Sequence, residues 1–127
     1  MSKPKNTPQP NFMIVMADQL SAPAVGAYGN EVVQTPHMDA LADEGILFEN
    51  AYCNSPICAP SRSSMMSGQL PSRIGSYDNA SEFPARIPTF AHYLRDMGYQ
   101  TCLSGKMHFV GPDQMHGFEE RLTTDIY

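Results

Sequence analysis

The sequence predicts an α/β fold, a sheet with helices packed on its faces. Three observations carry that expectation. Short continuous apolar runs have the length of strands. Helically spaced segments start at Thr-Pro, Pro or Thr and stop at Gly. The two kinds alternate along the 127 residues.

In chain order, residues 1–10 hold three prolines and no periodicity, the pattern of a flexible arm. Residues 11–127 then read as one incomplete domain. Phe12 to Ala17 is an unbroken apolar run, as in a strand buried on both faces, and it delivers Asp18-Gln19 to its C-terminal edge. A Gly- and Ala-rich loop follows from Ser21 to Gln34. Thr35-Pro36 opens a helix with Met38, Leu41 and Ala42 on one face and Gly45 as its stop. Ile46 to Tyr52 reads as a second strand.

Asn54 to Ala59 is irregular, and Pro60 suggests a helix running to about Ser67 before Gly68. Gln69 to Pro88 is rich in breakers and reads as loop. Thr89 to Met97 is a helix with Phe90, Tyr93, Leu94 and Met97 on one side and Gly98 after it. Tyr99 to Leu103 is a third strand, and Ser104 to Gly117 is a polar loop. Ligands of such sheets gather at the C-terminal edges of strands, so Asp18 and Lys106 are expected to converge.

Composition narrows the class. Apolar residues make up 42%, charged residues 17%, and the mean hydropathy is −0.32, values of an ordinary globular chain. A net charge of −5 leaves no basic footprint for nucleic acid. No apolar run near the start has the length of a signal core or a membrane span, so a cytoplasmic protein with no membrane partner is expected. Three cysteines with no C-x-x-C pair argue against a disulfide framework or a zinc site, and leave one of them free for chemistry.

Two segments carry that chemistry. Cys58-Ala59-Pro60-Ser61-Arg62 sets a thiol immediately before a helix start, where unpaired N–H groups and the dipole favour an anion. Arg62 lies one turn on and can return toward Cys58 as a fixed cation. A buried structural cysteine is the competing reading. Gly98 to His108 delivers Lys106 and His108 to one side of an extended stretch. Such a pair can hold an oxyanion and protonate a leaving oxygen, while a solvated lysine and a hydrogen-bonded histidine is the plain alternative.

Together the segments resemble the two signatures of the sulfatase family. The first is C-x-P-S-R followed by an apolar pair and a Gly, met by Cys58 to Arg62, Met65-Met66 and Gly68. Ser67, before that Gly, departs mildly from the usual residue. The second is G-Y-x-T-x-x-x-G-K-x-H, met from Gly98 to His108. Thr35 to Gly45 also looks like the family's T-P-x-x-D-x-L-A-x-E-G. Within the family, residues 69–73, 77–80, 105–114 and 116–127 look like choline sulfatases, as does Asp18-Gln19 where many members have two acids.

The resemblance implies the N-terminal part of an alkaline-phosphatase-like domain, a mixed sheet flanked by helices. It implies hydrolysis of a small-molecule sulfate ester, with choline-O-sulfate the expected substrate. Cys58 would be oxidised by a separate maturation enzyme to Cα-formylglycine (3-oxoalanine), whose hydrate attacks sulfur. Asp18 and residue 58 would bind a divalent cation, expected to be calcium. Arg62 would orient the nucleophile, and Lys106 and His108 would hold sulfate or assist the leaving oxygen. Asn79 is a further candidate for a sulfate hydrogen bond, with a turn residue as the alternative. The full-length protein is expected to be a homo-oligomer and the 127 residues alone to be inactive. Two rival readings are a phosphonate monoester or phosphodiester hydrolase of the same superfamily, and an inactive fragment with unmodified Cys58.

The remaining histidines and cysteines read plainly. His37 is expected at the surface and His92 in packing or at the surface, while His116 is open. Cys53 and Cys102 are expected as small buried hydrophobes.

Overall fold

A computed structural model of the chain describes residues 9–123. The first eight residues of the expected arm and the last four of the 116–127 stretch lie outside the described residues. The chain divides into two compact units, residues 1–50 and 51–127.

In the first unit, two short 3-10 turns, Ala22–Ala24 and Gly26–Tyr28, precede helix α1, Pro36–Glu44. Gly45 ends α1 as expected, and a Cβ there would stand 2.9 Å from the Leu41 carbonyl oxygen. Thr35 sits at the N-cap but does not cap with its side chain. Its hydroxyl instead accepts from Gly26 N (2.8 Å) and donates to Asp39 Oδ1 (2.9 Å), which also takes the Ala27 N–H (2.7 Å). The Thr-Pro-x-x-Asp spacing thus ties α1 to the preceding turn. Its expected apolar face is uncovered, with Met38 and Leu41 both exposed.

The two apolar runs differ from expectation. Phe12 to Met16 is exposed and, among the described residues, enters no strand ladder; Ile46 to Tyr52 behaves the same way. Apolar continuity encodes a preference for burial between neighbours, yet a strand exists only when a partner supplies its hydrogen bonds.

The second unit holds a defined core. Helices α2 (Cys58–Ser67), α3 (Pro71–Ile74) and α4 (Phe90–Asp96) pack with a two-residue parallel pair, β1 (Cys102–Leu103) and β2 (Glu120–Arg121). Met66, Ile74, Phe83, Ile87, Ala91, Leu103, Met107 and Phe109 form the buried cluster, with Phe90 and Phe118 against it. On α4 it is Ala91 that is fully buried, whereas Tyr93 and Met97 of the expected face are exposed.

Three local features escaped the sequence reading. Residues 69–88 contain α3, begun by Pro71 at a first-turn position and closed by Gly75. The expected strand from Tyr99 shrinks to β1, whose partner β2 lies in a stretch with no apolar alternation. Cys53 and Cys102 are exposed, not buried: Cys53 lies outside any helix or strand, and on β1 it is Leu103 that faces the core while Cys102 faces away from it. Among the described residues no helix is long and apolar enough to cross a membrane.

Candidate active site

Helix α2 starts two residues earlier than Pro60 suggests, so Cys58 is its first residue rather than the residue before it. Pro60 is compatible with that start, since the third N–H of a helix has no intrahelical partner to lose. The N-cap is Ile57, which has no polar side chain. Asn79 supplies the missing acceptor: its Oδ1 takes the Ala59 N–H at 3.0 Å from 20 positions along the chain. At the far end Gly68, in the left-handed region at φ 68°, donates its N–H to Ser64 O. Ser67, the departure from the signature, returns its hydroxyl to Ser63 O at 2.7 Å.

The second motif meets the first here. Lys106 Nζ lies 3.9 Å from Cys58 Sγ. Arg62 is buried, and its Nη1 donates to the Lys106 carbonyl at 2.6 Å and approaches Met107 Sδ at 3.8 Å. His108, also buried, places Nε2 3.0 Å from the Asn79 carbonyl oxygen. A carbonyl only accepts, so that nitrogen carries the proton and the tautomer is fixed. His108 occupies the left-handed region at φ 56°, pinned by buried Met107 and Phe109 on either side. Cys58, Arg62, Asn79, Lys106 and His108 therefore form one cluster within the second unit. A half-buried side chain at a helix N-terminus beside an ammonium is a setting for an anion and for a nucleophile that attacks one.

Asn79 stands in a turn, as its plain reading had it, and that turn is built to hold it. Asp78 Oδ1 accepts from Ala80 N and from the Ser81 hydroxyl, and the Ser81 hydroxyl with the Ala80 amide keeps this carboxyl below its usual range. Asp18 lies in the first unit, exposed, in a turn where Gln19 takes φ 55°. Among the described residues no group of three or more His, Cys, Asp or Glu side chains could hold a metal ion. The donors present thus do not make a cation site by themselves. An open hollow of about 590 Å³ in the first unit is lined by residues such as Asn30, Asp39 and Asp43, and by none of the cluster.

The other histidines resolve individually. His37 is exposed as expected. His92 caps α4, its Nδ1 accepting the Thr89 N–H at 3.1 Å; the Thr-x-x-His spacing is the signal that could have found it. His116 is fully buried, stacked on Phe83 at 4.3 Å and edge-on to Phe109 at 4.5 Å. Burial pushes its ring below the ordinary value, and His92 and Arg121 act the same way against the opposing pull of Asp113. Thr101 of the second signature is buried as well, donating its hydroxyl to the Gly117 carbonyl at 3.2 Å.

The sulfatase family profile matches residues 10–124. This chain belongs to the sulfatase family. It is 56% identical over 121 residues to a choline-sulfatase of Rhizobium meliloti (strain 1021), covering 95% of this chain and 24% of that protein. The chain thus spans about a quarter of that relative's length. A solved structure in complex with its substrate D-glucosamine-2-N,6-O-disulfate superposes with a TM-score of 0.76 at 38% identity, covering 82% of this sulfatase chain and 21% of the other. The phosphonate monoester hydrolase of Agrobacterium radiobacter gives a TM-score of 0.68 at 26% identity, with 84% and 25% covered. The fold is accordingly the N-terminal part of the alkaline-phosphatase-like sulfatase domain, helices beside a small sheet.

Proposed function

We propose that the enzyme containing this chain hydrolyses choline-O-sulfate to choline and sulfate, with residue 58 as nucleophile. The observation that carries the reading is the junction of both signatures: Cys58 opens α2 with Lys106 Nζ 3.9 Å from its sulfur. The surroundings of residue 58 suit its conversion, since it is a free, half-buried thiol at a helix start with the Lys106 ammonium 3.9 Å away. Once oxidised to formylglycine, residue 58 supplies a hydrated aldehyde as the attacking group.

The chain's own residues account for the remaining work. Lys106 offsets the negative charge of the sulfate group, which a nucleophile must approach against repulsion. Arg62, through the Lys106 carbonyl, keeps that ammonium's backbone in place. His108 gives its Nε2 proton to the Asn79 carbonyl, which leaves Nδ1, buried in this structure, as the ring nitrogen proposed to assist a reacting oxygen. Asn79 holds the start of α2 and presents a polar amide beside the nucleophile. Asp18 is proposed as one carboxylate ligand of a divalent cation, calcium being the expected ion, with further ligands from outside the described residues. Loss of bound metal in Asp18→Ala tests it, and unchanged metal content removes Asp18 from the site.

Choline-O-sulfate is favoured over other esters by the 56% identity to a choline-sulfatase across nearly the whole chain. The test is kcat/KM of the full-length enzyme for choline-O-sulfate against 4-nitrophenyl sulfate and phenylphosphonate. The expected order puts choline-O-sulfate first. A higher value for phenylphosphonate replaces this reading with the phosphonate hydrolase one; a higher value for 4-nitrophenyl sulfate keeps sulfate ester hydrolysis and removes choline.

A further inference from the structure

The loop after Lys106 holds a feature that the proposed chemistry leaves unused. His108 sits in a left-handed conformation, φ 56°, that residues with a Cβ adopt uncommonly, and here the backbone on both sides of it is held. On the N-terminal side, Arg62 grips the Lys106 carbonyl. On the C-terminal side the grip is Gln114. Its Nε2 donates to Phe109 O and to Gly111 O, each at 2.8 Å, so both amide hydrogens close on the backbone just past His108. Gly111 itself takes φ 116°, and the loop turns back there.

The orientation of the Gln114 amide is itself fixed. Arg121, on β2, donates from Nη1 to Gln114 Oε1 at 2.9 Å and to Gln114 O at 2.8 Å. A guanidinium only donates, so Oε1 must face it and the NH2 group must face the two carbonyls. Arg121 Cζ also lies 5.7 Å from the centre of the Phe109 ring, on the residue adjoining His108. From these contacts we infer that Gln114, aimed by Arg121, is a positioning residue that holds His108 in its working conformation. The inference rests on the proposed role of His108 and names the device that maintains it.

A double-mutant cycle on the full-length enzyme tests it, with 4-nitrophenyl sulfate as substrate and thermal melting measured for every variant. Gln114→Met keeps length and removes both donors without adding charge. It is expected to lower kcat about tenfold with KM changed less than about twofold. In a His108→Ala background the same change is expected to cost less than about twofold, because residues acting through one another are not additive. Arg121→Met, which releases only the aim of the amide, is expected to show the same coupling. Unchanged kcat in Gln114→Met, or an equal loss in both backgrounds, overturns the positioning role while His108→Ala stays impaired. Wild-type turnover in His108→Ala overturns it together with the site reading beneath it. Failure of both Gln114→Met and Arg121→Met to fold assigns the pair to stability and also overturns it.

Discussion

Arg62 Nη1 donates to the backbone carbonyl of Lys106 at 2.6 Å, so the cation of the first signature is bonded to the main chain of the second. The two residues lie 44 positions apart in sequence, and this bond joins their motifs into one object. Arg62→Lys tests it, because a point charge on a flexible stem replaces a rigid fork. The expected outcome is a loss of about 1–3 kcal/mol of stability, the worth of a buried charged hydrogen bond. Turnover is expected to fall at least about tenfold, since a 1.4 kcal/mol rise in the barrier suffices for that. Thermal melts and kcat of the full-length enzyme check both.

Asn79 combines a cap with a place beside the nucleophile, and two substitutions separate these. Asn79→Ala removes the acceptor for the Ala59 N–H and is expected to cost about 1 kcal/mol, as loss of a helix cap does. Asn79→Asp keeps an acceptor and adds a negative charge near an anionic substrate. Its melting temperature is expected to stay near the parent value while kcat/KM for a sulfate ester drops. Equal effects of the two substitutions on both measurements would reduce Asn79 to a turn residue.

Gly117 allows a close approach that no other residue permits. It takes φ 95°, and a Cβ there would stand 2.6 Å from His92 Nδ1 and 2.7 Å from His92 N. His92 cannot move away without giving up its cap on Thr89. Gly117→Ala is therefore expected to destabilise by about 2 kcal/mol or more, adding left-handed strain to overlap. A thermal melt decides it, and a melting temperature unchanged within error would contradict the packing described.

His116 makes stability depend on pH. Its ring lies below the ordinary value of 6.5, chiefly through burial against Phe83 and Phe109. Above 6.5 both folded and unfolded rings are neutral and the contribution is complete. As the pH falls through that value the unfolded chain takes up the proton first, and stability drops toward the folded ring's lower value. Asp113 adds to the loss at more acid pH. Burial raises its carboxyl, but the amides of His116 and Met115 outweigh that and hold it low. Denaturant unfolding as a function of pH should show the decline. His116→Phe should flatten its upper part and leave the part due to Asp113.

What the sequence made legible were features whose cause is local. Helix limits followed from Pro36, Gly45, Gly68, Thr89 and Gly98, because caps and stops act within a turn or two. That Cys58, Arg62, Lys106 and His108 belong together was implied by the resemblance to the family's two signatures, since the spacing within either segment does not bring the two together. The illegible features depend on partners far along the chain. Phe12 to Met16 has the composition of a central strand, yet pairing is a property of its neighbours. β2 pairs parallel with β1 next to a place where Glu119 and Thr101 exchange bonds from 18 positions apart, a contact that neither segment announces. Asn79 acts as a helix cap from 20 positions along the chain, beyond any capping pattern. His116 and Gln114 looked like loop residues because burial and the double amide bond arise only when the loop closes.

The central claim is that residue 58 becomes the nucleophile of a sulfuric ester hydrolase. Its most direct test is the mass of the tryptic peptide spanning residue 58, taken from full-length enzyme produced with a formylglycine-generating enzyme and assayed as active on choline-O-sulfate. The peptide is expected to carry an aldehyde at that position and to have lost its thiol. A peptide that remains wholly cysteine in fully active protein would contradict it.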